Sequence, residues 1–300
     1  MSWDNIALLS AVILAAVNII DSHLISKRMP SLLAFLLPIG TIYLIYGLIL
    51  FVLFPLPEGI TLWPVLAAVG AGILRTGAVT IMLYVMKREE VSRIIPVVYT
   101  YPIFVAIMAV PLLGESLGYL KWLAIIIVVA GAVMISVKQR PSGAANWLSK
   151  PLLLLFGSSL AFALADIASK YALNYLSFWN ASWLGTFCLS GIYLIASLRP
   201  RILRQLNDMT QRNSAMGLIA FNETLAMTGV ILLYRAIEQG TVSLVSTILG
   251  SRPIFVVIFA LILSRAAPKF IEWQPGKGML ALRFIATAMI VGGITIIYLT

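Results

Sequence analysis

Seven ionisable side chains stand where the sequence is otherwise apolar: Asp21, His23, Arg75, Asp166, Lys170, Glu223 and Arg252. A charge near the centre of a bilayer costs about 2.5–3.5 kcal/mol on insertion scales, so each needs a partner, a water-filled cavity or a task. Glu223 follows Asn222 and has no basic residue three or four positions away on either side. An isolated acid at that depth is suited to carrying a proton. Its natural partners across the fold are Arg75 and Arg252.

Asp21 lies about six residues, roughly 9 Å, inside the Lys27-Arg28 edge, and Asn18 is one turn earlier on the same face. It reads either as a cation or proton site in a cavity or as an interfacial acid paired with Lys27 or Arg28. Asp166 has Lys170 at i+4, the favourable order for a helix ion pair, so mutual neutralisation competes with a role in a site. His23 is nearer the edge and reads as solvated. Arg252 precedes Pro253, whose missing amide proton frees a carbonyl one turn back and kinks a helix. With Tyr101 at the equivalent place in the first half, such an arginine would clamp a carboxylate or small anion. A structural bridge to Glu223 is the alternative. Tyr84, Tyr99 and Tyr234 join Tyr101 as aromatics that could line a cavity or serve as packing and interface anchors.

Nothing in this set points to catalysis. There is no HExxH, GxSxG or Walker glycine loop, and His23 is the single histidine. The expectation is a non-enzyme with no catalytic residues, no cofactor and no metal site. Cys188, the only cysteine, lies in an apolar run and reads as a small packing residue.

The elements that must hold these side chains are membrane spans. Hydrophobic residues make up 61% and charged residues 11% of the 300, against about 25% charged in a soluble domain; mean hydropathy is +1.02. The pattern predicts an all-α, polytopic membrane protein of ten helices, near 5–26, 31–54, 62–85, 92–113, 118–137, 151–172, 178–198, 215–236, 241–264 and 279–299. The first run reads as a span rather than a cleaved signal. Small residues such as Gly70, Gly72 and Gly77 suit close helix approach.

The net charge of +10 would fit nucleic acid, but the basic residues fall in short segments between spans, so no nucleic-acid partner is expected. The loops after the odd spans carry Lys27 and Arg28; Lys87, Arg88 and Arg93; Lys138, Arg140 and Lys150; Arg199, Arg201, Arg204 and Arg212; Arg265, Lys269 and Lys277. That places the odd loops in the cytoplasm and both termini outside.

The chain is also duplicated. VSRIIPVVYTYPIFV at 91–105 and VSLVSTILGSRPIFV at 242–256 align without a gap, sharing the Val-Ser pair and the Pro-Ile-Phe-Val block. Residues 1–140 and 151–300 read as two five-helix repeats joined by a polar junction at 141–150. Five is odd, so like halves must enter the membrane in opposite senses. The charges agree: the loop after span 3 is basic, whereas its counterpart after span 8 holds only Arg235 and Glu238. Gly131 and Gly293 occupy matching places in the fifth span of each half.

These features resemble the ten-span EamA-type branch of the drug/metabolite transporter superfamily. The resemblance rests on the two five-helix halves, the junction and the Pro-Ile-Phe-Val blocks. It also rests on the Gly114-Glu115 pair that closes the fourth helix; the second half has Ser264-Arg265 there instead. It implies a secondary transporter whose central cavity is lined by the first four helices of each half, with helices 5 and 10 peripheral. Ten-span members usually keep their termini inside, opposite to the charge rule here. The small relatives of the superfamily carry a carboxylate in their first helix, as Asp21 and Asp166 do further along theirs.

The resulting expectation is transport of a small polar or amphipathic metabolite, amino-acid-like or carboxylate-bearing, across the cytoplasmic membrane by alternating access. Asn18, Asp21, Arg75, Tyr101, Asp166, Asn222, Glu223 and Arg252 form its substrate-binding set, with Glu223 the candidate for proton coupling. The bilayer, a small-molecule substrate and protons are the partners, and a monomer suffices. Translocation of a lipid or lipid-linked sugar, and a non-transporting membrane subunit, stay open.

Overall fold

Hydrocarbon offers no partner to a backbone amide, so each apolar run must satisfy its own as a helix. The computed structural model describes residues 1–87, 98–136, 150–266 and 277–299. The helices are α1 (Trp3–His23, continued by a π-helical turn Leu24–Arg28), α2 (Leu32–Leu53), α3 (Leu62–Met86), α4 (Tyr101–Leu113), α5 (Tyr119–Ser136) and α6 (Lys150–Leu173). They continue with α7 (Phe178–Ser197), α8 (Pro200–Asn207), α9 (Arg212–Gln239), α10 (Val242–Leu249), α11 (Arg252–Ala266) and α12 (Lys277–Leu299). Six spans among the described residues are long and apolar enough to cross a membrane, and α7 with the bent α8 makes a seventh. Tyr101–Leu113, Tyr119–Met134 and Phe284–Leu299 are shorter apolar helices, standing where spans 4, 5 and 10 are predicted. The all-helical polytopic fold is as the sequence predicts. Arg88, Arg93, Lys138, Arg140 and Lys269, the junction as far as residue 149, and the Val91-Ser92 end of the duplicated stretch lie outside the described residues.

Two local features differ from a plain ten-helix reading. Span 9 is two helices, α10 and α11, broken at Gly250-Ser251 directly before Arg252-Pro253, the break that Pro253 predicts. The stretch after span 7, read as a loop from Pro200, is the helix α8. Pro200 takes its first turn, where no amide proton is needed.

The duplication is visible in packing. The most extensive contacts are α2 with α7, α3 with α6, α1 with α9, and α5 with α12. Exchanging the two halves maps spans 3 and 6 onto spans 8 and 1, and maps the other two pairs onto themselves. Matching hydroxyls repeat the relation: Ser10 on α1 donates to the Gly229 carbonyl of α9 at 2.8 Å, and Ser158 on α6 donates to the Ala78 carbonyl of α3 at 2.9 Å. A Cβ at Gly131 would lie 2.7 Å from Ile290, and one at Gly293 would lie 2.6 Å from Val128, so α5 and α12 approach closely and antiparallel. A span antiparallel to its own copy is related to it by an axis in the membrane plane, which is an inverted repeat. Of the other glycines expected at close contacts, Gly72 meets Gly185 on α7, whereas nothing lies within 4 Å of a Cβ at Gly70 or Gly77.

Loop contacts sort into two faces. On one, Lys87 donates to the Pro30 carbonyl at 3.4 Å, Ser31 donates to Gln205 at 2.8 Å, and Arg28 bonds to Gln211, so the basic loops after spans 1, 3 and 7 meet. On the other, Asn180 donates to the Phe54 carbonyl at 2.9 Å, and Tyr298 beside the C-terminus donates to Asn5 at 3.1 Å. Glu115 belongs to this second face. Its carboxylate accepts from the Val242 amide at 2.6 Å, the Ser243 amide at 3.3 Å and the Ser243 hydroxyl at 2.5 Å, capping the start of α10. The Gly114-Glu115 ending of the first repeat thus holds the fourth span of the second. Glu115→Ala is expected to lower stability in detergent by about 1–2 kcal/mol, the range for loss of a helix cap. Thermal unfolding of the purified variant checks this, with Glu115→Gln intermediate.

Candidate functional site

Between the halves lies a cavity of about 160 Å³, room for on the order of ten waters. Its walls come from spans 1–4 and 6–9; no residue of α5 or α12 contributes. Asn18, Asp21, Arg75, Tyr101, Asp166, Glu223 and Arg252 all line it. Asn222 sits just behind, fully buried, joined to two of them.

The charged residues form three groups. In the first, Arg75 Nη2 on α3 donates to Asp166 Oδ1 on α6 at 2.6 Å, and Ser246 Oγ on α10 donates to Asp166 Oδ2 at 2.7 Å. The Arg75 guanidinium also lies over the Tyr234 ring, 5.4 Å from its centre, where the π face attracts a cation. Asp166 is 1% exposed, while the Nε of Arg75 is buried without a partner among the described residues. In the second, Asn222 Nδ2 on α9 donates to Asp21 Oδ1 on α1 at 2.7 Å and to Glu223 Oε1 at 3.2 Å. Tyr43 on α2 lines the cavity with these two acids. No Lys, Arg or His pairs with either acid among the described residues. In the third, Asn18 donates to the Tyr99 hydroxyl at 3.1 Å. Arg252 faces the same space, its Nε buried without a partner among the described residues.

The first two groups occupy equivalent helix pairs. Span 3 meets span 6 through Arg75 and Asp166, and span 8 meets span 1 through Asn222, Glu223 and Asp21. The scaffold is the same and the charge is opposite: one aspartate meets a guanidinium, the other an amide and a second acid.

Several sequence expectations are corrected. Asp166 and Lys170 do not neutralise each other. Arg75 takes the aspartate, and Lys170 Nζ turns to the carbonyls of Ile237 at 2.8 Å and Gly240 at 2.8 Å, the negative end of α9. Asp21 pairs with Asn222 rather than Lys27 or Arg28. Glu223 meets neither Arg75 nor Arg252. His23, read as solvated, is buried, with Arg28 Nε 3.5 Å from its Nε2. Tyr99, Tyr101 and Tyr234 line the cavity, whereas Tyr84 is 37% exposed and lies outside it. Tyr43, Thr76, Thr186, Tyr193 and Ser246 were not singled out by sequence. Their signal is a hydroxyl within an apolar span, which packing serines and threonines share.

The model of the EamA-like transporter family matches residues 1–137, the first repeat. The resemblance drawn from the sequence is borne out over the first repeat, and the apolar helices make the chain a multi-pass membrane protein. No curated protein matches the chain. A crystal structure matches at TM-score 0.67 with 17% identity, covering 99% of this chain and 95% of its own; at that identity the likeness is one of fold.

Separating the buried pair is expected to be costly. Arg75→Met or Asp166→Asn alone lowers stability by about 3–5 kcal/mol, whereas Arg75→Met with Asp166→Leu recovers most of it. Asp21→Asn leaves no buried cation unpaired and costs less than either. Thermal unfolding of the four variants in one detergent checks the order.

Proposed function

We propose that the protein carries a small polar or amphipathic metabolite, amino-acid-like or carboxylate-bearing, across the cytoplasmic membrane by alternating access. One observation carries the reading: inside a cavity between inverted halves, an acidic pair faces the same space as Arg252, whose Nε is without a partner among the described residues. The Arg75–Asp166 pair satisfies its own charges and frames the site. Asp21 and Glu223 remain to receive a cationic group, and Arg252 remains to receive a carboxylate. Asn18, Tyr101 and Asn222 complete the binding set by orienting these groups.

Glu223 is the candidate proton carrier. Two carboxylates bound to one amide, with no cation paired to them among the described residues, repel strongly in a low-dielectric setting, and a proton relieves this. The halves would rock about the cavity, exposing it to one side at a time. The basic face, with the loops after spans 1, 3 and 7, is the cytoplasmic one in this reading, so both termini lie outside. A monomer contains the whole cavity.

The test is transport in vesicles with an imposed pH gradient, using a panel of amino acids and small carboxylates. The native protein is expected to move at least one of them at a gradient-dependent rate. Glu223→Gln is expected to lose the dependence while still exchanging substrate. A variant that responds to the gradient as the native protein does removes the proton role. Uptake of no zwitterion or carboxylate removes the substrate class.

A further inference from the structure

Directly after α7 the chain bends by 91° into α8. Because α7 packs along α2, itself long and apolar enough to cross the membrane, a helix at that angle to α7 runs along the membrane surface. The helix is firmly seated: Ile202 and Leu206 are buried in the core cluster that holds Met29 and Leu36, and Ser31 donates to Gln205 at 2.8 Å. This face therefore points inward, with a one-turn spacing that fits a helix lying on its side.

The exposed surface of the helix and its N-terminal cap carries charge. Arg199, Arg201 and Arg204 are exposed, and among the described residues none of them makes an ion pair. Beside them Leu198 is 63% and Leu203 is 44% exposed. A water-soluble anion would satisfy the arginines and leave both leucines wet. The edge of a bilayer satisfies both, with acyl chains against the leucines and phosphates on the guanidinium groups.

We infer that α8 is a binding surface for anionic phospholipid headgroups, held by Arg199, Arg201 and Arg204 with Leu198 and Leu203 dipping toward the acyl chains. A basic side chain at an anionic bilayer surface strengthens attachment several-fold, so the loss of two is expected to weaken lipid retention on the order of tenfold. The surface is independent of whatever the cavity carries. It requires only that α7 spans the bilayer.

Native mass spectrometry of the full-length protein, released from vesicles of phosphatidylcholine mixed with phosphatidylglycerol, tests this by counting retained lipids. The native protein is expected to keep phosphatidylglycerol preferentially. In Arg201→Gln/Arg204→Gln that excess falls about tenfold. Lys121→Gln, at the start of α5 on the other face, keeps it. Equal retention by the native protein and the double variant overturns the assignment. So does a thermal stabilisation by inorganic phosphate, in phosphatidylcholine alone, as large as that from phosphatidylglycerol, because a free anion would then suffice. Thermal unfolding of both variants in phosphatidylcholine serves as the folding control, and phosphatidylglycerol is expected to raise the midpoint of the native protein and of Lys121→Gln only.

Discussion

A guanidinium in the middle of a membrane protein must be answered by an anion, and Arg75 is answered from the other half of the chain. Its bond to Asp166 at 2.6 Å joins the third span of the first repeat to the first span of the second. Ser246 brings the ninth span to the same carboxylate. Removing either charge leaves the other buried and alone, which is far worse than never having placed the pair there. The positions of spans 3, 6 and 9, and hence one wall of the cavity, follow from this contact.

Duplication supplies the opposite wall from the same plan. The helix pair that mirrors spans 3 and 6 is spans 8 and 1, held by the Ser10 hydroxyl on the Gly229 carbonyl as the first pair is held by Ser158 on Ala78. Interhelical hydrogen bonds of this kind contribute on the order of 0.6 kcal/mol each in a membrane, so shape complementarity does most of the fastening. The glycines at Gly131 and Gly293 show how: a side chain at either would strike the facing helix. Once packing sets the frame, a few residues can differ between copies without disturbing it. An arginine in one copy and an Asn-Glu dipeptide in the other turn one shared architecture into a self-neutralised wall and an acidic one.

How much of this could be read beforehand depends on the range of each interaction. Span positions were legible because hydrocarbon imposes a length and a composition on every crossing segment. The inverted arrangement was legible too, since basic loops must alternate between faces and the Pro-Ile-Phe-Val block recurs at a fixed offset. Seven of the eight residues of the expected binding set line the cavity, whereas His23 and Lys170, also singled out by charge, do not. Their pairing was not legible. Local spacing favours Lys170 for Asp166, yet the lysine reaches past it to the carbonyls ending α9, a contact between residues more than sixty positions apart. Asn222 as the link between two acids and Tyr43 on the cavity wall likewise arise only when distant segments meet.

The two faces are built differently. One is dense in arginine and lysine; the other is fastened by Glu115 on the start of α10 and Lys170 on the end of α9, each placed where the helix dipole favours its charge. The proposed carrier role requires the buried centre to open to each face in turn. The most direct measurement is the labelling of a single cysteine at Thr76 or Ser182 on the cavity wall, in a Cys188→Ala background, by a membrane-impermeant reagent added to one side of oriented vesicles. The account predicts labelling from either side, with substrate shifting reactivity from one side to the other. A cysteine that reacts from neither side, or from one side alone whatever substrate is present, would contradict it.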